Sequence, residues 1–457
     1  MHGMVRWSET EKAIINDPYF QRLRRIKQLG LANLVFPGAE HTRFSHCIGT
    51  MEIAGRICTV LERKDKKNNP RLFKSRDVQL LRLAALLHDI GHLPLSHLLE
   101  RVYKKIEKEN TNRKATSEIL GSTSPQQELY PKNHEEISAE IAMKILDKPH
   151  IKKLLKFDDI SPKDVAALIR GKHRSFVLNQ LMKSDLDIDQ MDYMLRDGKN
   201  TGTIYSNFDL GYLVDSLEVV LTEEEESSRR ILCVDITGLR AAEHYVLASY
   251  FYYTQILYHK ARVIVEKIAE TLYARLLEEK QYCLPKDFRE INSWLHSDKF
   301  LDFDDAYVLE KFKKALKDSN LDNCTRELAK CLVERSHLPK VKFEKVQFGK
   351  YKAKEKEDYP WKLKKEDPND SCFELYLTDD ESLKLESLKK KPLEEREDPI
   401  FIVFNPQKYK KRKTKYTKVL SRKKHILPLS EFNNTLTSRL KDHTLLIERI
   451  YKLDETT

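Results

Sequence analysis

The chain of 457 residues contains no run of about 20 apolar residues, which a membrane-spanning helix would need. Its N-terminus, MHGMVRWSETEK, also lacks the apolar stretch of a secretory signal peptide. The seven cysteines are scattered and include no C-x-x-C pair, so they predict neither a disulfide framework nor a zinc ribbon. These absences predict a protein of the reducing cytoplasm that is neither secreted nor inserted into a membrane.

Basic residues outnumber acidic ones, with 82 Lys and Arg against 71 Asp and Glu. The net charge of +11 and the pI of about 9.0 favour anionic partners such as nucleotides, nucleic acid or phospholipid surfaces. Apolar residues make up 40% of the chain, which is ordinary for a folded protein. The length predicts two or three packed units.

Glycine and proline are scarce, with 13 and 16 residues, so few turns interrupt the chain. From residue 11 to about residue 333 most long segments carry apolar residues at helical spacing, which predicts a helical domain. Two short apolar runs at 218–221 and 231–234 flank an acidic turn and predict a β-hairpin. The polar stretch at 104–133 is too poor in apolar residues for a core and is expected to be a mobile loop.

After residue 339 the composition changes to short β-rich runs separated by lysine-rich turns, at 341–346, 373–377 and 400–404. These runs predict a small α+β C-terminal lobe. Within it, the basic run at 407–425 interleaves cations with tyrosines, as proteins that bind single-stranded nucleic acid do. A solvated basic loop with no partner is the alternative interpretation.

The strongest chemical signal is LLRLAALLHDIGHLPLSH at residues 80–97. His88 continues a stripe of apolar residues, so a helix would direct it inward. Asp89 follows at once, and the helix-breaking Gly91 and Pro94 would let the imidazole and the carboxylate converge on one ion. Imidazole with carboxylate suits Fe, Mn, Ni or Zn. Further groups able to bind a metal or move protons lie nearby at His92, His97 and His134.

A second element, AEHTRFSHCIG, lies upstream at residues 39–49. Arg43 and His46 are three residues apart and would share one face of a helix. That spacing pairs a guanidinium suited to gripping phosphate with an imidazole suited to binding metal.

A third element, SDLDIDQMDYMLRD, lies downstream at residues 184–197. Asp189, Tyr193 and Asp197 form one helical stripe, and Asp187 could support a metal ligand from behind. Apolar residues are threaded between the acids, which indicates that this helix enters a core.

The ordered set H…HD…D, realised as His46, His88, Asp89 and Asp189, resembles the HD-domain phosphohydrolases. More narrowly, several extended segments resemble the branch that contains the deoxynucleoside triphosphate triphosphohydrolases: INDPYFQRLRRIKQLG, VFPGAEHTRFSHCIG, LLHDIGHLPLSH, DLDIDQMDYMLRD and YHKARVIVE. The likeness covers roughly residues 1–265. Several long segments in the same order make it much more specific than an HD dipeptide.

The resemblance implies a mainly α fold with an HD core at 1–265. The residue pattern beyond it predicts a helical extension at 266–338 and the α+β lobe at 339–457. It implies a mononuclear or dinuclear centre of Fe, Mn, Ni or Zn, with Mg²⁺ at a second site as one alternative. The implied metal ligands are His46, His88, Asp89 and Asp189. The substrate would be a nucleotide, and relatives commonly assemble as homo-dimers or homo-tetramers.

The resemblance also implies roles for other side chains. His97 and His134 would transfer a proton to the leaving group, with Glu100 orienting them. Arg43 and His92 would contact phosphate. The remaining implied substrate contacts are Gln28, Leu29, Tyr193, Asp197, His259 and Lys260.

The chain departs from the family pattern where two cations are missing. Gln190 stands where relatives commonly have Lys or Arg, and Ser249 stands where they commonly have Arg. Because these cations lie near the distal phosphates in triphosphohydrolases, their absence predicts a weaker preference for triphosphates. Asn16 stands where relatives regulated by an activator have Asp, which predicts no nucleotide activation at that site.

The leading hypothesis is therefore metal-dependent hydrolysis of a phosphate bond in a deoxynucleotide. A nuclease or phosphodiesterase acting on single-stranded nucleic acid is the first alternative, favoured by the basic lobe and the missing cations. The second is a protein that binds nucleotides or nucleic acid without turnover, against which the complete set of metal positions argues.

Overall fold

The computed structural model describes residues 1–65, 74–118, 130–224, 227–336 and 338, together with five strands between residues 340 and 452. Within these ranges no helix combines the length and the apolar character that crossing a membrane requires. The basic run predicted to bind nucleic acid, 407–425, lies outside the described residues except for its last residue.

Helices dominate the described chain, as the sequence predicts, and their apolar faces meet in one large core. The α-helices of the described ranges are α1 Glu9–Ile15, α2 Pro18–Arg22, α3 Arg43–Asp65, α4 Ser75–Leu87, α5 His97–Glu118, α6 His134–Leu146, α7 Pro149–Phe157, α8 Pro162–Ile169, α9 Phe176–Met182, α10 Ile188–Thr201, α11 Leu210–Ser216, α12 Leu239–Tyr252, α13 Lys260–Glu278, α14 Phe288–Leu295, α15 Lys299–Asp302, α16 Asp305–Lys317 and α17 Asn323–Val333.

Three of these helices, α3, α4 and α10, carry the residues of the H…HD…D pattern. Helix α4 ends in the HD pair, with His88 as its C-cap residue. Helix α10 begins after Asp187, whose carboxylate accepts a hydrogen bond from the Gln190 backbone N–H at 2.6 Å. It ends at Gly202, which has a φ of 75° that glycine adopts without steric cost. Helix α3 packs against both other helices, so the three segments meet.

Two glycines permit the close approaches that build the site. A Cβ on Gly49 of α3 would lie 2.0 Å from the carboxylate of Asp192 on α10. A Cβ on Gly91 would lie 2.4 Å from the backbone nitrogen of Ser138 on α6. Each position must therefore lack a side chain for its two elements to touch.

The predicted hairpin is confirmed as β1 Leu217–Glu224 and β2 Ser227–Asp235, antiparallel with Leu217 opposite Val234. The three predicted C-terminal runs are also strands: β3 Lys340–Gly349, β4 Glu374–Lys384 and β5 Phe401–Phe404. Two more strands, β6 His425–Pro428 and β7 Thr444–Lys452, have no counterpart in the sequence prediction. The sheets run β1-β2-β5-β6 and β3-β7-β4, so the C-terminal lobe extends the hairpin of the helical part.

The loop predicted for residues 104–133 is wrong over its first half, because α5 continues to Glu118. Residues 119–129 lie outside the described part of the chain. The sequence KKIEKENTNRKATSE has few apolar residues but many with high helix propensity, and here propensity outweighs the lack of a core-facing stripe.

The predicted division of the chain stays a prediction, and its boundary at residue 265 falls inside α13.

Candidate metal centre and active site

The four predicted metal ligands converge although they come from three separate helices. His46 Nε2 lies 2.8 Å from Asp189 Oδ1 and 3.6 Å from Asp89 Oδ2. His88 Nε2 lies 3.4 Å from one oxygen of each of the same two carboxylates. One ligand atom each of His46, His88 and Asp189 lies within 4.8 Å of the others, as the ligands of a single ion would, and Asp89 adjoins this set through one oxygen to each histidine.

The Nδ1 atoms of His46 and His88 are each in contact with an oxygen of the protein. His88 Nδ1 lies 2.7 Å from the carbonyl oxygen of Ala85, and His46 Nδ1 lies 2.8 Å from Asp192 Oδ2. A carbonyl oxygen can only accept, so His88 carries its hydrogen on Nδ1 and presents a lone pair on Nε2. Both buried Nε2 atoms make no hydrogen bond within the described residues. Two such atoms beside two carboxylates fit a transition-metal ion.

The charges around these nitrogens favour a cation. Burial would lower the pKa of His46, but the carboxylates of Asp189 and Asp192 outweigh burial and raise it to about 10. Burial would raise the pKa of Asp89, but Arg43 and His88 outweigh it and lower it well below the usual range. The pocket therefore holds ionised carboxylates at neutral pH, and a metal cation would take the place of the protons.

Asp192 is the supporting carboxylate that the sequence analysis missed. Its side chain is fully buried. Its carboxylate oxygens also lie 2.6 Å from His2 Nε2 and accept a hydrogen bond from Arg196 Nε at 2.7 Å. Asp187, predicted for the supporting role, caps α10 instead. The signal was available, since Asp192 follows the predicted ligand Asp189 by three residues and so lies on the same side of α10.

A second group of three histidines adjoins the first through Asp89. His92 Nε2 lies 3.3 Å from Asp89 Oδ1, and the rings of His92 and His134 stack with centroids 4.1 Å apart. The ring centroid of His97 is 5.1 Å from that of His134. Sequence reasoning therefore selected residues that the fold brings together.

Glu100 connects two members of this group. It accepts a hydrogen bond from His134 Nδ1 at 2.7 Å, and His97 Nδ1 lies 3.7 Å from the same oxygen. Burial would raise the pKa of Glu100, but its contacts with His134, His97 and Lys104 outweigh burial and lower it. The ionised carboxylate of Glu100 fixes the orientation of the His134 ring through Nδ1.

Arg43 lies at the edge of the cluster of candidate metal ligands and is buried. One guanidinium nitrogen binds Asp89, and Nε and Nη2 both donate to Ser96 Oγ, at 2.9 and 2.7 Å. The side chain is therefore held beside the candidate metal ligands, and its contact with phosphate stays a prediction.

A cavity of about 350 Å³ opens over the two groups. Its lining includes His88, Asp89, His134, Asp187 and Asp189. The predicted catalytic residues His97 and Glu100 are not among the described residues that line this cavity. Nor are any of the predicted substrate contacts: Gln28, Leu29, Arg43, His92, Tyr193, Asp197, His259 and Lys260.

Asp197 and His259 have partners of their own. Both carboxylate oxygens of the fully buried Asp197 are engaged, one by His41 Nε2 at 2.6 Å and the other by Tyr252 O–H at 2.7 Å. The ring of His259 packs edge-on against Phe36, with centroids 5.2 Å apart.

The two positions that depart from the family pattern are in direct contact. Gln190 Nε2 on α10 donates to Ser249 Oγ on α12 at 2.7 Å. Helices α10 and α12 are therefore joined by a neutral hydrogen bond at the two positions where members of the family commonly have cations.

A model of the HD domain family matches residues 43–197, which include all four candidate ligands. An uncharacterized protein of Bacillus subtilis, YwfO, is 30% identical over 338 residues, covering 72% of this chain and 67% of that protein. The deoxynucleoside triphosphate triphosphohydrolase SAMHD1 of Gallus gallus is 33% identical over 224 residues, covering 47% of this chain but only 35% of that enzyme.

Solved structures share the fold over nearly the whole chain. A phosphohydrolase from Bacteroides thetaiotaomicron superposes with a TM-score of 0.63 at 19% identity, covering 99% of this chain and 96% of that one. A hypothetical protein from Aquifex aeolicus gives 0.60 at 23% identity, covering 98% and 94%. At these identities the likeness bears on the fold alone.

Proposed function

The chain belongs to the HD domain family, and from this premise we propose that it is a metal-dependent deoxynucleoside triphosphate triphosphohydrolase. The observation that carries the metal requirement is the pair of buried Nε2 atoms, on His46 and His88, that make no hydrogen bond within the described residues and face two carboxylates. The similarity to enzymes named as deoxynucleoside triphosphate triphosphohydrolases supports the choice of substrate.

The residues that would hold the ion are His46, His88, Asp89 and Asp189. This mixed set of nitrogen and oxygen donors suits Fe, Mn, Ni or Zn. Such an ion, when bound, lowers the pKa of a coordinated water toward neutrality and polarises a phosphoryl oxygen.

The protein's own side chains then divide two tasks. Arg43, held by Ser96 beside the candidate metal ligands, would stabilise charge that develops on the phosphorus oxygens. His134 lines the cavity and has its Nδ1 bound to Glu100, which leaves Nε2 as the ring atom for proton transfer to the departing oxygen. His97 stands beside it as a second proton-transfer group.

The acidic lining of the cavity supports a substrate that arrives with divalent cations. Glu135 and Asp185 join the carboxylates named above in the lining. Among the described lining residues Lys183 is the one lysine, and it pairs with Glu135 at 2.5 Å. A bare polyphosphate would be repelled. A nucleotide complexed with Mg²⁺ would instead bring the cation that this lining attracts.

The test is product identification. Protein loaded with Mn²⁺ or Fe²⁺ is incubated with Mg²⁺ and a panel of deoxynucleoside and ribonucleoside mono-, di- and triphosphates. Release of deoxynucleoside and intact triphosphate, abolished in Asp89→Ala, is expected. Turnover that is unaffected by Asp89→Ala, or no turnover of any nucleotide, would refute the proposal.

A second candidate is a nuclease or phosphodiesterase, which the neutral contact between Gln190 and Ser249 favours because such substrates carry fewer charges at the scissile group. Adding short single-stranded DNA and RNA to the same panel separates the two. Shortened oligonucleotides with intact triphosphates would select this candidate.

We also propose that the protein works as a homo-oligomer. Aromatic side chains stay exposed on one face, where Tyr205 is 56% and Phe251 is 38% accessible with ring centroids 5.7 Å apart. An exposed apolar patch of this kind is typical of an interface. Sedimentation of the full chain should give a dimer or a tetramer, and a monomer at micromolar concentration would contradict this.

A further inference from the structure

The loop that joins His92 to α5 has an unusual backbone. Leu95 and Ser96 have φ values of 56° and 60°, so two consecutive residues with side chains occupy the left-handed region. Side chains disfavour this region, and such residues persist only where their surroundings hold them. Both residues are buried, at 2% and 5% exposure.

One carboxylate from a distant part of the chain holds this loop. Asp305, the first residue of α16, accepts the Leu95 backbone N–H at 2.7 Å through Oδ1. Its Oδ2 accepts the Lys27 backbone N–H at 2.9 Å. The carboxylate is buried, so it ties the loop to the segment before α3 with two hydrogen bonds shielded from water.

The loop in turn sets the position of Arg43. Ser96 Oγ accepts both Arg43 hydrogen bonds and lies 3.1 Å from the carbonyl oxygens of Lys27 and Gln28. Since the same guanidinium binds Asp89, a shift at Ser96 would move Arg43 relative to the metal ligands.

A second contact joins the same two regions. Arg22, with no exposed surface, donates Nε to the carbonyl oxygen of Phe303 and Nη1 to that of His92, each at 2.9 Å. The backbone just before Asp305 is therefore tied to the beginning of the loop, while Asp305 itself holds its end.

We propose that Asp305 is a positioning residue for the reaction, acting through the strained pair Leu95 and Ser96 on Arg43. This inference rests on the proposed hydrolytic function. It assigns part of the C-terminal helical extension to the active site, although the extension contributes no metal ligand.

The test is Asp305→Asn, which keeps the size of the side chain but sets an amide N–H₂ against one of the backbone N–H groups. We expect kcat to fall about tenfold to a hundredfold with little change in KM or metal content, because misplacing a charge-stabilising group acts on the transition state. Amide hydrogen exchange should accelerate in peptides covering residues 92–98.

Two controls come from the same extension. Asp302→Asn removes an exposed charge three residues away, and Asp287→Ala removes the carboxylate that caps α14. Both should leave kcat and exchange at 92–98 unchanged at a temperature where every variant is folded.

The outcomes separate this inference from the proposed function. If Asp305→Asn keeps kcat within about twofold and exchange at 92–98 is unchanged, the inference is overturned. It is also overturned if Asp287→Ala lowers kcat as much. If the wild-type protein hydrolyses no nucleotide, the proposed function fails, and the exchange data alone decide whether Asp305 holds the loop.

Discussion

The two groups of histidines that meet at Asp89 differ in how far they reach the surface. His46 and His88 are buried, as is His92 of the second group. The side chains of His97 and His134 are 56% and 19% exposed. A metal ligand must be rigid and dry, whereas a group that delivers a proton must reach the substrate. The contrast supports separate roles for groups only a few ångströms apart.

The buried group also costs stability in the absence of an ion. Asp89 and Asp192 are carboxylates withdrawn from water, Asp189 beside them is half-buried, and each carries a pKa lowered by its neighbours. Bringing like charges together in a buried site is unfavourable unless cations compensate. Metal binding should therefore stabilise the folded chain as well as enable the reaction.

The largest effect should follow from removing a ligand of the buried group. His88→Ala or Asp89→Ala should abolish metal retention and lower hydrolysis on the order of 10⁴-fold, since water without a metal has a pKa far above neutrality. Elemental analysis and product assays measure the two losses. Chelation of the wild type should lower Tm by a few degrees. Full activity in excess chelator, with no metal after gentle purification, would contradict the metal assignment.

The next effect concerns the exposed group. His134→Gln should retain the metal but lower kcat about a hundredfold to a thousandfold, because the proton donor is lost. His150→Gln, at an exposed position on α7, is the matched control and should have no effect. If His134→Gln loses metal in proportion to activity, the two groups do not have separate roles.

A smaller effect should follow from changing the support behind a ligand. Asp192→Asn leaves the four ligands in place but weakens the hold on His46 Nδ1, so metal affinity should fall about tenfold to a hundredfold. Asp147→Asn, which removes an exposed carboxylate, serves as the control. Unchanged affinity, measured by competition with a chelator, would show that α3 alone orients His46.

The candidate ligands were predicted from two local pairs of residues together with the resemblance to the HD family. His88 and Asp89 are adjacent at a helix end, and Arg43 and His46 share one face of α3, so periodicity identified each pair. Helix α5 was partly missed because its distal half has no apolar stripe, although its residues favour helix.

What the sequence could not predict depends on contacts between distant segments. Asp305 meets Leu95 across 210 positions, and His2 meets Asp192 across 190. Neither pair leaves a periodic pattern in the sequence. Leucine normally avoids the left-handed region, so nothing in the sequence indicates that Leu95 adopts it. Likewise, the departures at Gln190 and Ser249 could be noted singly, but only the fold shows that they touch.

The smallest predicted effect tests whether that contact sets the preference for substrate charge. A charge-assisted hydrogen bond to a phosphate oxygen contributes roughly 1.5–3 kcal/mol, against 0.5–1.5 for a neutral one. Replacing both partners in Gln190→Lys with Ser249→Arg should therefore raise catalytic efficiency on deoxynucleoside triphosphates about tenfold relative to monophosphates or DNA.

The 2.7 Å contact adds a second expectation for the same variant. Two cations at neighbouring positions repel each other unless an anion lies between them. The double variant should therefore melt below the wild type without ligand, and triphosphate should raise its Tm more than it raises that of the wild type. Single variants, each keeping one neutral partner, should show less of both effects. If the double variant binds triphosphate no better while the wild type already cleaves it well, other residues hold the distal phosphates, and this contact does not determine specificity.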